Sequence, residues 1–173
     1  AVGCREAGAG RSLLGLRTSE NEARDRFQWK WGKGDATAIA DFADPVAGSA
    51  SYNVCVYDAS PSAQPLLDLP IAPGGTCAGK PCWRAVSTKG FAYKNKDGNG
   101  DGVTALKLGS GVAGKSKVQV KGAGVALASP ALPLTLPVTV QLSIDSGLGT
   151  ECWQSTFTNP PSKNEGEKFR AKQ

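Results

Sequence analysis

Apolar and polar residues alternate with a period of two along several stretches of this chain, and that pattern describes a half-buried β-strand rather than a helix. Phe27, Trp29 and Trp31 share one face, with Gln28 and Lys30 on the other. Val138, Val140, Leu142 and Ile144 oppose Thr139, Gln141, Ser143 and Asp145. Val118 and Val120 oppose Lys117, Gln119 and Lys121, while Trp153 and Phe157 oppose Gln154 and Thr156. Strands with one dry and one wet face belong to antiparallel sheets covered on one side. Weaker strand signals occupy 12–17, 52–58, 66–72, 82–87, 90–95, 103–108 and 167–172. Turn clusters such as Pro73-Gly74-Gly75 and Gly109-Ser110-Gly111 separate them. The 22 Gly and 11 Pro fit the same picture, being poor in helix interiors and useful in turns. About ten short strands at this spacing predict an all-β, antiparallel two-sheet sandwich, immunoglobulin-like or jelly-roll-like.

One short helix is predicted at 20–26, where Ser19 can cap and Glu22 lies three residues on. No break in composition divides the chain, so one domain is expected over 12–173, behind a flexible Gly-rich leader at 1–11. Residues 129–137 carry Pro130, Pro133 and Pro137, which forbid a central strand and favour extended, polyproline-like chain. The expected role is an apolar crossover lying over the core, with an SH3-type ligand as the sharper alternative.

The five Cys occur with no His and with no CxxC spacing, which disfavours zinc and favours disulfides in an oxidising compartment. Cys77 and Cys82 are expected to pair across a short loop containing Gly79 and Pro81. Cys55 and Cys152 are then the expected inter-strand bridge, leaving Cys4 near a mobile terminus. The chain has no Met and starts at Ala1, as a chain does after removal of a signal peptide, with a fragment of something longer as the alternative. The expected location is secreted, extracellular or at the cell surface, with the periplasm also open. No apolar run approaches the ~20 residues of a membrane-spanning helix.

Without His there is no Ser-His-Asp or Cys-His arrangement. Asp25, Asp35, Asp41, Asp44, Asp58 and Glu151 are raw material for paired carboxylates, but no spacing among them selects a pair. An enzyme is not expected. The net charge of +5 is spread from Arg5 to Lys172 with no run of three, and reads as a solubility surplus rather than a nucleic-acid footprint. Asp97-Gly98-Asn99-Gly100-Asp101-Gly102 matches the start of a calcium loop, in which alternate oxygens converge on a hard cation. Leu108 stands where an EF-hand needs Glu, so the candidate is a looser Ca²⁺ site on Asp97, Asn99 and Asp101, against a plain Gly-rich turn. The four Trp (29, 31, 83 and 153) are expected mainly in the core, with an exposed ring as the mark of a carbohydrate site.

The stretches Phe27–Gly34, Tyr52–Asp58, Gly75–Trp83, Lys117–Gly122 and Cys152-Trp153 together resemble a recurrent domain of predicted secreted proteins of Gram-negative, especially delta-proteobacterial, origin. The resemblance runs over roughly residues 12 to 172. It implies export and a β-rich fold and supplies no activity. The function expected from all of this is a non-enzymatic extracellular structural or interaction module, self-assembling as a surface or fibre subunit. Its terminal strands, with Leu13, Leu14 and Leu16 at one end and Phe169 at the other, would either complete their own sheet, the commoner outcome for terminal strands, or add to a neighbour's. The alternative is a carbohydrate- or other ligand-binding module stabilised by calcium. Partners are then the chain itself, other extracellular proteins or polysaccharide, with no nucleic acid and no membrane insertion.

Overall fold

The structure is a computed structural model that describes residues 3–96, 100 and 102–173. It is all-β. In chain order the strands are β1 (Arg5–Glu6), β2 (Ser12–Arg17), β3 (Arg26–Gly34), β4 (Ser51–Tyr57), β5 (Leu67–Ile71), β6 (Thr76–Cys77), β7 (Lys80–Pro81) and β8 (Trp83–Ala85). They continue as β9 (Gly90–Lys94), β10 (Val103–Gly109), β11 (Ser116–Ala123), β12 (Val138–Asp145), β13 (Thr150–Phe157), β14 (Lys163–Glu165) and β15 (Lys168–Lys172). The helical residues among those described are three 3₁₀ turns, Glu22–Arg24, Ile39–Phe42 and Val125–Leu127. The expected helix at 20–26 shrinks to the first of these. Asn21 rather than Ser19 caps it, its Oδ1 accepting from Ala23 N at 3.1 Å, and Asp25 is already extended as the chain enters β3.

Two larger sheets contain most of the strands. One has five in the order β1-β13-β12-β4-β5; the other has eight in the order β14-β15-β2-β3-β11-β10-β9-β8. All neighbours are antiparallel except β1, which lies parallel to β13. The small ribbon β6–β7 closes the Cys77–Cys82 loop. The inward residues of both sheets belong to one core, which gathers Leu14, Trp29, Val120 and Leu106 from one and Val56, Val140 and Trp153 from the other. Ser155 joins them. It faces inward from β13, lies 2.6 Å from Ser12 Oγ of β2, and accepts the Trp29 indole N–H at 3.1 Å. A buried hydroxyl without partners would be costly, and here it has two. At the end of β3 only glycine fits: a Cβ on Gly34 would clash with the edge of the Trp31 ring and with Glu6 O.

Several expectations need correction. The segment expected as a flexible leader is fastened down from Cys4: Cys4 is bonded to Cys152, β1 pairs with β13, and Glu6 N donates to Asp35 Oδ2 at 2.8 Å. The Cys55–Cys152 bridge does not form, because β12 lies between the strands that carry the two residues. That places them about 10 Å apart or more, beyond the reach of a disulfide. Cys4, brought beside Cys152 at a Cα–Cα distance of 4.7 Å by the parallel β1, takes the position instead. Cys55 is a buried free thiol. The 129–137 segment lies over the core, with Leu134 buried and Leu132 and Leu136 packed against it. Asn164 fastens it through both ends of its amide, accepting from Leu134 N and donating to Leu134 O.

Candidate functional site

The two larger sheets divide the charge very unequally. Thirteen of the chain's 20 Lys and Arg lie in strands of the eight-stranded sheet: Arg17 on β2; Arg26, Lys30 and Lys33 on β3; Arg84 on β8; Lys94 on β9; Lys107 on β10; Lys117 and Lys121 on β11; Lys163 on β14; and Lys168, Arg170 and Lys172 on β15. Of the 13 Asp and Glu among the described residues, Glu165 alone does so. Lys33 occupies the bulge where the β3–β11 register shifts. The others are all exposed, on the side of the sheet away from the core, because strand alternation sends their apolar neighbours inward.

The register concentrates the charge further. Lys168, Arg17 and Arg26 stand directly opposite one another on β15, β2 and β3, an arrangement of like charges that opposes folding. They form the rim of a cleft of about 300 Å³ with Lys30 and Arg170, over Gly15; no atom lies within 4 Å of the Cβ position that Gly15 leaves vacant. At the opposite edge a larger cleft, about 730 Å³, is lined by Arg84, Lys89, Lys107, Lys115 and Lys117. Its walls are the loops after β8 and β10. They are joined by Ser110, whose N and Oγ both donate to Lys89 O at 2.8 and 2.9 Å. Val86 and Val112 add exposed apolar surface. Neither cleft is lined by a carboxylate, and none of these ten cations is in an ion pair among the described residues. The chemistry on offer is the binding of anions.

No protein-family model matches the chain, and no curated protein or solved structure was found to match it. The site must be read from its own residues.

The residues picked out from the sequence lie elsewhere. Asp97, Asn99 and Asp101 are outside the described residues, and among those that are described no cluster of three potential metal-ligating side chains occurs. All four Trp are buried with their indole N–H groups satisfied: Trp31 donates to Gln154 O, Trp83 to Ala72 O and Trp153 to Thr37 Oγ1. No indole ring is left to stack on a sugar. Asp41 and Glu151 are both held by Arg5, whose guanidinium lies 5.1 Å from the Trp153 ring centroid, so they serve the fold. Burial pushes the Cys55 thiol upward, with Asp68 adding to the effect, and a protonated, enclosed thiol is inert. Leu14, Leu16 and Phe169, expected on assembly strands, are buried, and Leu13 is half-buried. β2 lies between β15 and β3, and β15 lies between β2 and, over Lys168–Arg170, β14, so both strands complete their own sheet.

No run of cations along the chain marks the basic face, because its members come from separate strands. The available signal was the period of two itself. Lys117 and Lys121, and Lys168, Arg170 and Lys172, alternate with apolar residues, and so share a face once the strands form.

Proposed function

We propose that this domain is a non-enzymatic extracellular binding module that holds an acidic polysaccharide on the outer face of its eight-stranded sheet. In this reading the two sheets form a disulfide-stabilised sandwich that serves as a rigid support. The observation that carries the proposal is the accumulation of exposed cations on one sheet, ten of them lining two clefts without a carboxylate and, among the described residues, outside any ion pair. Such a surface raises the local concentration of polyanions and speeds their capture. The two disulfides favour an oxidising compartment, where acidic polysaccharides are abundant polyanions. A neutral glycan bound by ring stacking is disfavoured because the tryptophans are enclosed. Single-stranded nucleic acid is disfavoured on the same ground, since such strands are gripped through exposed aromatics. Gln28, Gln119, Gly15 and Ala105 occupy the positions between the cations instead.

Polymerisation through sheet edges has less support. The edge strands β8 and β14 have 3 residues each, β1 has 2, and β5 carries Pro70. Short, proline-bearing edges are the kind that resist strand addition. The test of the proposal is retention on immobilised heparin and hyaluronan, with dextran as the neutral control. Retention by the acidic matrices alone, reversed by salt, is the expected result. Equal passage through all three columns would overturn the reading.

A further inference from the structure

The register of the eight-stranded sheet places a line of cations across the strands. Lys172 on β15 pairs with Leu13, Leu13 with Lys30 on β3, Lys30 with Gln119, Gln119 with Lys107 on β10, Lys107 with Ala92, and Ala92 with Arg84 on β8. One cation therefore stands on every second strand, and an uncharged residue on each strand between. With neighbouring strands about 4.8 Å apart, the charge repeat is roughly 10 Å. All four cations are exposed, and among the described residues none is in an ion pair. The line enters the larger cleft at Lys107 and Arg84 and passes Lys30 at the rim of the smaller one. The parallel line two residues along serves as an internal contrast. It runs Lys94, Ala105, Lys121, Gln28, Gly15, Arg170 and Lys163, with its charges separated by two strands, then three, then one.

We infer that the regular line selects a linear polysaccharide bearing one anionic group per disaccharide, laid across the strands. This rests on the reading of the face as a polysaccharide site and adds the ligand's charge period and direction. The repeat is about the length of two extended pyranose rings, so a chain charged on alternate sugars meets a cation at each anion without stretching or looping. The uncharged positions, Leu13, Gln119 and Ala92, lie under the neutral sugar of each pair. Twist also discriminates. Adjacent strands rotate by about 20–25°, so the line winds through roughly 120–150° over its six strand steps. A single flexible chain can follow that path, whereas a flat bilayer meets only part of it. Duplex DNA, stiff over about 150 base pairs, does likewise.

The experiment measures binding of hyaluronan oligosaccharides of increasing length to the intact protein at physiological salt, by calorimetry. Two variants of equal charge change are compared, K30Q/K107Q on the regular line and K94Q/K121Q on the irregular one. Affinity is expected to rise up to four disaccharides and then level off. Each lost cation of the regular line is expected to weaken binding about two- to fivefold, the worth of an exposed ion pair, with the irregular-line variant within about twofold of the parent. Equal losses in the two variants overturn the inference. So does affinity that keeps rising with charge density in polyuronates charged on every sugar, or tighter binding of a DNA duplex. If no acidic polysaccharide binds at all, the broader reading fails as well, so the two failures are distinguishable.

Discussion

The two sheets share one core and differ completely on their outer faces. On the five-stranded sheet several outward polar residues are paired with one another. Thr139 and Thr156 lie 3.1 Å apart through their hydroxyls, Gln154 donates to Glu6 Oε1 at 2.6 Å, and the Cys4–Cys152 bond spans the sheet's edge. On the eight-stranded sheet the outward face is rich in exposed cations, and among the described residues only Lys163 of them is in an ion pair. The first face contributes to stability through contacts already made. Along the Lys172–Lys30–Lys107–Arg84 line the second holds charges about 10 Å apart, slightly more than the screening length of about 8 Å at physiological salt, so repulsion along it is tolerable, whereas Lys168, Arg17 and Arg26 on adjacent strands repel more strongly. Substitutions on the two faces should therefore appear in different measurements.

The largest effect is expected in the core they share. Trp29→Ala should cost about 3–5 kcal/mol in chemical denaturation, and both sheets should lose their signal in one transition; two separated transitions would mean that the sheets do not depend on one core. Opening the Cys4–Cys152 bond, with Cys4→Ser, should cost about 2–5 kcal/mol and leave retention on acidic polysaccharide intact. The sharpest contrast comes from paired substitutions. Gln154→Ala on the first face should cost about 1 kcal/mol of stability without changing binding. R17Q/K168Q on the second should leave stability level or raise it by about 0.5 kcal/mol, since directly opposed like charges are relieved, while retention weakens severalfold. A stability loss from that second pair would show that the cations belong to the fold after all.

The smallest effect is one of pH. Burial tends to raise the Asp58 carboxyl, but hydrogen bonds from Ser60, Thr135 and Gln64 outweigh it and hold the group below its ordinary range. A depressed carboxylate contributes stability that is fully present above the unfolded value of about 4 and is lost as pH falls through the folded one. Melting curves over that acidic range should show the 58–64 loop and the Thr135 crossover loosening in the parent, with a smaller acid dependence in Asp58→Asn. Identical curves would remove Asp58 from the account.

Much of the fold was legible because alternation is a local property. The Phe27-Trp29-Trp31 and Val138–Ile144 faces point inward as their period of two requires, and the 129–137 prolines mark chain that lies outside the sheets. Pairing between distant strands is not local. Whether Cys152 meets Cys4 or Cys55 depends on which strand lies between, and β12 decides it. Whether β2 and β15 are edges or interior strands likewise depends on the partners they find.

The same division applies to the candidate site. Alternation alone sends Lys30, Lys117, Lys121, Lys168, Arg170 and Lys172 to solvent, because each alternates with residues that must be buried. That they share one surface, and that Lys172, Lys30, Lys107 and Arg84 fall into line, depends on strand order and register. Side-chain direction follows from each strand's own period, whereas the order and register of strands separated by tens of residues are set by hydrogen bonding and packing across the whole domain.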